Sequence, residues 1–120
     1  MAEYRYFSKE TDPWLFKCPE TGEEGVLPSF VSRLDELRHR CGFPFVISSG
    51  YRSPRHPIES AKPSPGMHTR GIAADIVVHS ATKRGIIMKN ALDLGFTGVG
   101  VYKTHMHVDV RPGDLKIWAG

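Results

Sequence analysis

Apolar residues along this chain recur with two different periods, and each change of period marks an element. Phe30, Val31, Leu34 and Leu37 fall at helical spacing, Pro28 stands where a first-turn proline is tolerated, and Gly42 stops the run. This predicts a helix from Leu27 to Cys41. Phe43 to Ile47 is a short apolar run suited to a strand, and it ends in Ser48-Ser49-Gly50. Ile72 to Val78 reads as another strand. Ser80 then offers an N-cap for a helix through Ile86, Ile87, Ala91 and Leu92 that Gly95 closes. Val99 to Tyr102 and His105 to Val110 predict a hairpin around Lys103-Thr104. The expected fold is α+β, a small and mainly antiparallel sheet packed with two or more helices.

Two stretches lack either period. Residues 1–26 are rich in aromatics (Tyr4, Tyr6, Phe7, Trp14, Phe16) and broken by Asp12-Pro13 and Thr21-Gly22, which predicts an irregular arm packed over the rest. Residues 50–71 hold Gly50, Pro54, Pro57, Pro63, Pro65, Gly66 and Gly71, which predicts a long loop, and such loops within a domain are usually functional. No repeat or low-complexity tract interrupts the chain. At 120 residues it is expected to be a single domain, 1–120.

The polar residues inside the strand-like runs carry the chemistry. With a period of two, Met106, Val108 and Val110 share one face of the last strand, while His105, His107, Asp109 and Arg111 share the other. Asp75 is the only charge in Ile72-Ala73-Ala74-Asp75-Ile76-Val77-Val78. A carboxylate there must find a cation, with Arg52, Arg70 or Arg84 as candidate partners, or shift its titration strongly. His68 lies in the loop that enters this strand and can fold back toward the same place. A divalent metal is the economical account of such a set, because two imidazoles and a carboxylate are the ligand types of an open zinc site.

Charge and cysteine content narrow the picture further. The formal net charge is +3, with no basic run interleaved with aromatics, so nucleic acid is not an expected partner. No apolar run approaches membrane-spanning length and the N-terminus has no apolar signal core, so the chain is expected to be soluble, made without a cleavable signal, and no membrane partner is expected. Cys18 and Cys41 lack a Cys-x-x-Cys partner and read as two buried free thiols. His39 stands among Arg38 and Arg40 on the polar side of the first helix, and His79 is expected to make a local hydrogen bond. His56 lies in the long loop, where it could line a cleft.

Three ordered motifs then resemble the M15 peptidases, zinc enzymes that include D-alanyl-D-alanine carboxypeptidases, dipeptidases and phage endolysins acting on peptidoglycan. The motifs are Ser49-Gly50-Tyr51-Arg52-Ser53, His68-Thr69-Arg70-Gly71-Ile72-Ala73-Ala74-Asp75-Ile76, and Val99-Gly100-Val101-Tyr102-Lys103-Thr104-His105-Met106-His107-Val108-Asp109-Val110-Arg111. The resemblance spans residues 27–118 and is nearest to the short, single-domain branch. The His-x-His strand is also similar to the zinc site of hedgehog signalling domains, which share the fold but act in binding.

The resemblance implies that His68, Asp75 and His107 ligate Zn2+, and that Arg52 binds substrate and polarises the reacting carbonyl. It departs from this chain at Thr104, where many relatives carry a Glu or Asp as general base, and at Gly66, where many carry Ser. His105 is the replacement base this reading favours, with Asp109 as the alternative or as a group orienting an imidazole. Residues 50–71 are expected to form one wall of the cleft, and His79 with the region after Val110 another. The implied function is zinc-dependent hydrolysis of a peptide bond in peptidoglycan, by a monomer that reaches the wall on release or by another export route. Two alternatives stand beside it: a zinc-containing binding module without turnover, and a structural phage protein whose polar strand face is an interface.

Overall fold

The computed structural model describes residues 4–64 and 66–120. A five-stranded sheet forms its centre, with strands β1 (Val46–Ser49), β2 (Ala73–Val77), β3 (Gly98–Val101), β4 (His105–Asp109) and β5 (Lys116–Ala119). Their order across the sheet is β1-β2-β4-β3-β5. All neighbours are antiparallel except β3 and β5, which run parallel. The helices are α1 (Pro13–Phe16), α2 (Pro28–Cys41), α3 (Pro57–Ser60) and α4 (Ala81–Asp93), with a 3₁₀ turn at Met67–Arg70. The α+β class expected from the periodicity is the class found.

One face of the sheet and the two long helices enclose the core. From the strands come Ile47, Ala74, Ile76, Val99, Met106 and Val108, and from α2 Phe30, Val31, Leu34 and Leu37, all buried. Helix α4 adds Ile87 and Ala91, and Phe96 meets Phe30 edge-on at 6.3 Å. Fully burying a side chain of this size contributes roughly 1.5–3 kcal/mol, so this apolar stripe is what docks the helices on the sheet. The predicted boundaries of the long helices hold closely: Ser80 caps α4 by accepting from the Lys83 amide, and Gly42, at φ 77°, terminates α2.

Several elements differ from the pattern-based reading. The first strand is displaced to Val46–Ser49, because Phe43 and Phe45 pack on each other at 5.7 Å ahead of the sheet. The long loop contains α3 and the 3₁₀ turn, each a single turn too short to leave a periodic signature. Strand β5 was not foreseen; its pairing with β3 depends on a distant segment rather than on its own alternation. The N-terminal arm contains α1 and buries Phe7, Leu15 and Phe16 in the core. It is pinned to α2 through Asp35, which accepts from the Arg5 and Tyr6 backbone amides and from the Arg5 guanidinium. Residues 1–3 of that arm lie outside the described residues. Cys18 and Cys41 are buried free thiols, and burial pushes the Cys41 thiol up to about 11.

Candidate metal centre

The second face of the sheet carries the polar row. In the antiparallel register of β2 and β4, Asp75 faces His107 and Val77 faces His105, so strand alternation alone brings three polar side chains to one side. His68 joins them from the 3₁₀ turn that leads into β2, and it is buried like the other two ligand candidates. One donor atom from each of His68, Asp75 and His107 lies within 4.8 Å of the others. His68 Nε2 is 3.4 Å and His107 Nδ1 is 3.3 Å from Asp75 Oδ1. A tetrahedral zinc with bonds of ~2.0–2.2 Å has ligand–ligand edges of ~3.3–3.6 Å, and both edges to Asp75 match that length, so the donor set fits the ion.

The outer nitrogen of each imidazole is already engaged. His68 Nδ1 donates to the Gly50 carbonyl at 2.7 Å, and His107 Nε2 donates to Asp109 Oδ2 at 2.6 Å. These bonds select the tautomers that turn the lone pairs of His68 Nε2 and His107 Nδ1 inward, toward Asp75. Burial alone would raise the Asp75 carboxyl, yet His107 and His68 outweigh it and hold the group well below the usual carboxylate range. Burial would likewise lower the His107 imidazole, but Asp109 and Asp75 raise it overall. Two carboxylates around an inward-facing imidazole make a cradle for positive charge.

Glycines clear the space for this arrangement. Gly98 is the cross-strand partner of Asp109, and a Cβ there would overlap the Asp109 carboxylate. Gly100 is opposite His107, and a Cβ there would overlap the Trp118 indole, which therefore lies over β3 with its ring 5.3 Å from the His107 ring. Arg111 closes the far side, giving Asp109 a 2.6 Å contact from Nη2 while its guanidinium lies 4.9 Å from the Trp118 ring centroid. Burial would raise the Asp109 carboxyl, but His107 and Arg111 hold it well down.

A cleft of about 330 Å³ opens over the cluster, lined among others by Arg52, Met67, Tyr102, His105, Arg111 and Trp118. Arg52 Nη2 is 3.8 Å from Asp75 Oδ2, while its Nη1 donates to Glu59 Oε2 at 3.0 Å. His105 presents Nε2 to the same Asp75 oxygen at 4.0 Å. Its ring stacks on Tyr102 at 4.6 Å and 6°, and its Nδ1 is 3.2 Å from the Thr104 hydroxyl. Thr104, at the position where many relatives have a carboxylate, thus touches the outer nitrogen of His105.

Of the residues singled out in the sequence, His68, Asp75, His107, His105 and Arg52 converge on this cleft. Asp109 does not line it: the carboxylate is wholly buried between His107 and Arg111. His79 lies elsewhere, exposed beside a hollow lined by Phe43, Val46, Val77 and Lys83, and so is not part of the cleft wall. His56 is also absent from it; its Nδ1 accepts from the Ile58 amide and caps α3. His39 is exposed and meets the Tyr6 hydroxyl. The region after Val110 does supply a wall, through Arg111 and Trp118.

Two contributors escaped the sequence reading. Glu59 is a buried carboxylate within the breaker-rich loop, and nothing in its neighbours distinguishes it from a solvated charge. Trp118 and its seat on Gly100 had a signal, since glycines two apart in a strand mark one face where something approaches closely. Among the described residues no helix is long and apolar enough to cross a membrane.

No curated protein matches the chain. The profile of the peptidase M15 family matches residues 10–110, a span that contains Arg52, all three ligand candidates and both groups considered as the base. With that match over most of its length, and with a His-Asp-His cluster that could hold a metal beneath an open cleft, the chain belongs to the peptidase M15 family.

Proposed function

We propose that this protein is a zinc-dependent peptidase that cleaves a peptide bond in peptidoglycan stem peptides or cross-links. The observation that carries the reading is the donor set of His68 Nε2, Asp75 Oδ1 and His107 Nδ1, whose two edges to Asp75 have zinc-site length and which opens to one side, toward Arg52 and His105. A site with three protein ligands and one free position is the catalytic rather than the structural form of zinc. When bound there, zinc supplies a Lewis acid and lets a water lose its proton near neutral pH.

The chain's own residues do the rest. His105 accepts the water proton at Nε2 and delivers it to the departing amine, its ring held by Tyr102 and Thr104. Arg52 offers Nη2 to the carbonyl oxygen as negative charge develops on it. Asp109 holds His107 in the tautomer that binds metal, a role supported by its burial and by the 2.6 Å bond to Nε2. Lys62 and Arg111 line the same cleft and favour a substrate that carries carboxylates, as wall stem peptides do. In this reading the protein acts as a monomer on that peptide, without a nucleic-acid or membrane partner.

The exposed Thr104, in place of a carboxylate, favours a second reading, a zinc-containing module that binds wall peptide without cleaving it. Incubating zinc-loaded protein with defined muropeptides and identifying the products by mass separates the two. Cleavage at one bond type is expected; binding without any product would leave the module.

A further inference from the structure

Among the described residues, two buried carboxylates stand outside the reaction scheme: Asp35, which pins the N-terminal arm, and Glu59, which touches Arg52. The Glu59 side chain has no solvent exposure, and α3 holds it beneath the cleft wall. Oε2 accepts from Arg52 Nη1 at 3.0 Å, Oε1 accepts from the Gly66 amide at 2.9 Å, and Lys62 Nζ reaches both oxygens at 3.1 and 3.2 Å. A carboxylate is costly to bury and stable only when so fully paired. A loop needing only a stitch from α3 to Gly66 could use a neutral acceptor. The charge is matched by two cations, the Lys62 ammonium and the Arg52 guanidinium, of which Arg52 reaches on toward Asp75.

The geometry of that pair is selective. Glu59 takes only one terminal nitrogen of Arg52, where an end-on fork would occupy both. Nη2 is thereby left directed at Asp75 Oδ2, 3.8 Å away, on the side where the cleft opens. The Arg52 backbone is fixed independently, since its amide donates to the His68 carbonyl at 3.3 Å. With the main chain tied to the ligand-bearing turn and Nη1 tied to Glu59, the guanidinium has little freedom left.

We infer that Glu59 is a positioning residue for the reaction, aiming the free edge of Arg52 at the reacting carbonyl. The inference rests on the hydrolytic reading of Arg52 given above. It makes Glu59 act through Arg52 and through no contact of its own with substrate or metal.

The experiment is a double-mutant cycle with zinc content measured in every preparation. Glu59→Gln keeps the shape and removes the charge, and it should lower kcat/KM roughly 10-fold or more, mainly in kcat, with zinc retained. In an Arg52→Ala background the same substitution should change kcat/KM less than ~2-fold, because its route of action is gone. An equal loss in both backgrounds would overturn the inference. Undiminished turnover in Arg52→Ala alone would overturn the role given to Arg52, and this inference with it. A second measurement needs no substrate, and its first arm needs no variant. In proton–nitrogen NMR spectra of the zinc-loaded wild type, the Arg52 terminal nitrogens should give separate signals from hindered rotation. Fully averaged Arg52 signals there would sink the clamp, and separate signals that collapse in Glu59→Gln would support it. If the wild type cleaves no muropeptide, the hydrolytic reading fails while these spectra still decide the clamp.

Discussion

Asp75 and His107 are direct cross-strand partners on β2 and β4, and the register alone sets Asp75 Oδ1 3.3 Å from His107 Nδ1. Strands hold two of the three ligand candidates, and His68 arrives from outside the sheet. A one-residue slip of either strand would turn its ligand candidate into the core, so the register is what assembles the candidate site.

Metal content follows directly. Purified protein should carry about one zinc per chain. His68→Ala, Asp75→Ala and His107→Ala should each lose most of it, and the melting temperature should fall because bound metal stabilises the folded state. Elemental analysis with thermal melts checks this, and full retention of zinc in two of the three variants would refute the ligand set.

His105 is separable from the ligands, since its Nε2 is 4.0 Å from Asp75 and its ring is half-exposed against Tyr102. His105→Ala should keep zinc and lose activity by ~10²-fold or more. Loss of the metal instead would make His105 a ligand.

Asp109→Asn tests the orienting role. An amide in place of the carboxylate weakens the hold on His107 Nε2 and leaves Arg111 unpaired. Zinc affinity should drop ~10- to 100-fold, as is typical when the group behind a ligating imidazole is lost. Activity restored at saturating zinc is the expected result; abolished turnover with unchanged affinity would return Asp109 to the role of base.

Arg52→Lys should preserve fold and zinc while lowering kcat/KM by ~2 kcal/mol or more, because an ammonium cannot both pair with Glu59 and present a second donor to the carbonyl. Steady-state kinetics on a cleaved muropeptide, with zinc quantified in the same sample, gives the answer.

Glu59 also predicts a pH dependence of stability. Burial would raise its carboxyl, but the Gly66 amide, Arg52 and Lys62 together bring it down to about 2 from an ordinary 4.5. A depressed carboxyl contributes stability that is complete above ~4.5 and lost as pH falls toward ~2, here on the order of 3 kcal/mol. Arg52 and Lys62 are the charged groups that face it. Denaturant unfolding of wild type and Glu59→Gln from pH 6 downward, under identical metal conditions, should show the difference between the two shrinking across this window.

How much of this was legible in the sequence depends on the range of the interaction behind each feature. The period of two on β4 placed His105, His107 and Asp109 together, and the lone charge in the β2 run marked Asp75, because alternation is a property of each strand by itself. The helical stripe of α2 and the cap of α4 were readable for the same reason. Tertiary structure decided the rest. Whether Asp109 faces the cleft or hides behind His107 depends on the missing side chain at Gly98 and on Arg111 folding over it. Strand β5 exists because β3 offers it a parallel edge, and Trp118 reaches His107 because Gly100 leaves room. Glu59 became a buried partner of Arg52 only when the 50–71 loop closed on itself. Local chain geometry is written in adjacent residues, whereas the burial of a charge depends on which distant groups come to meet it.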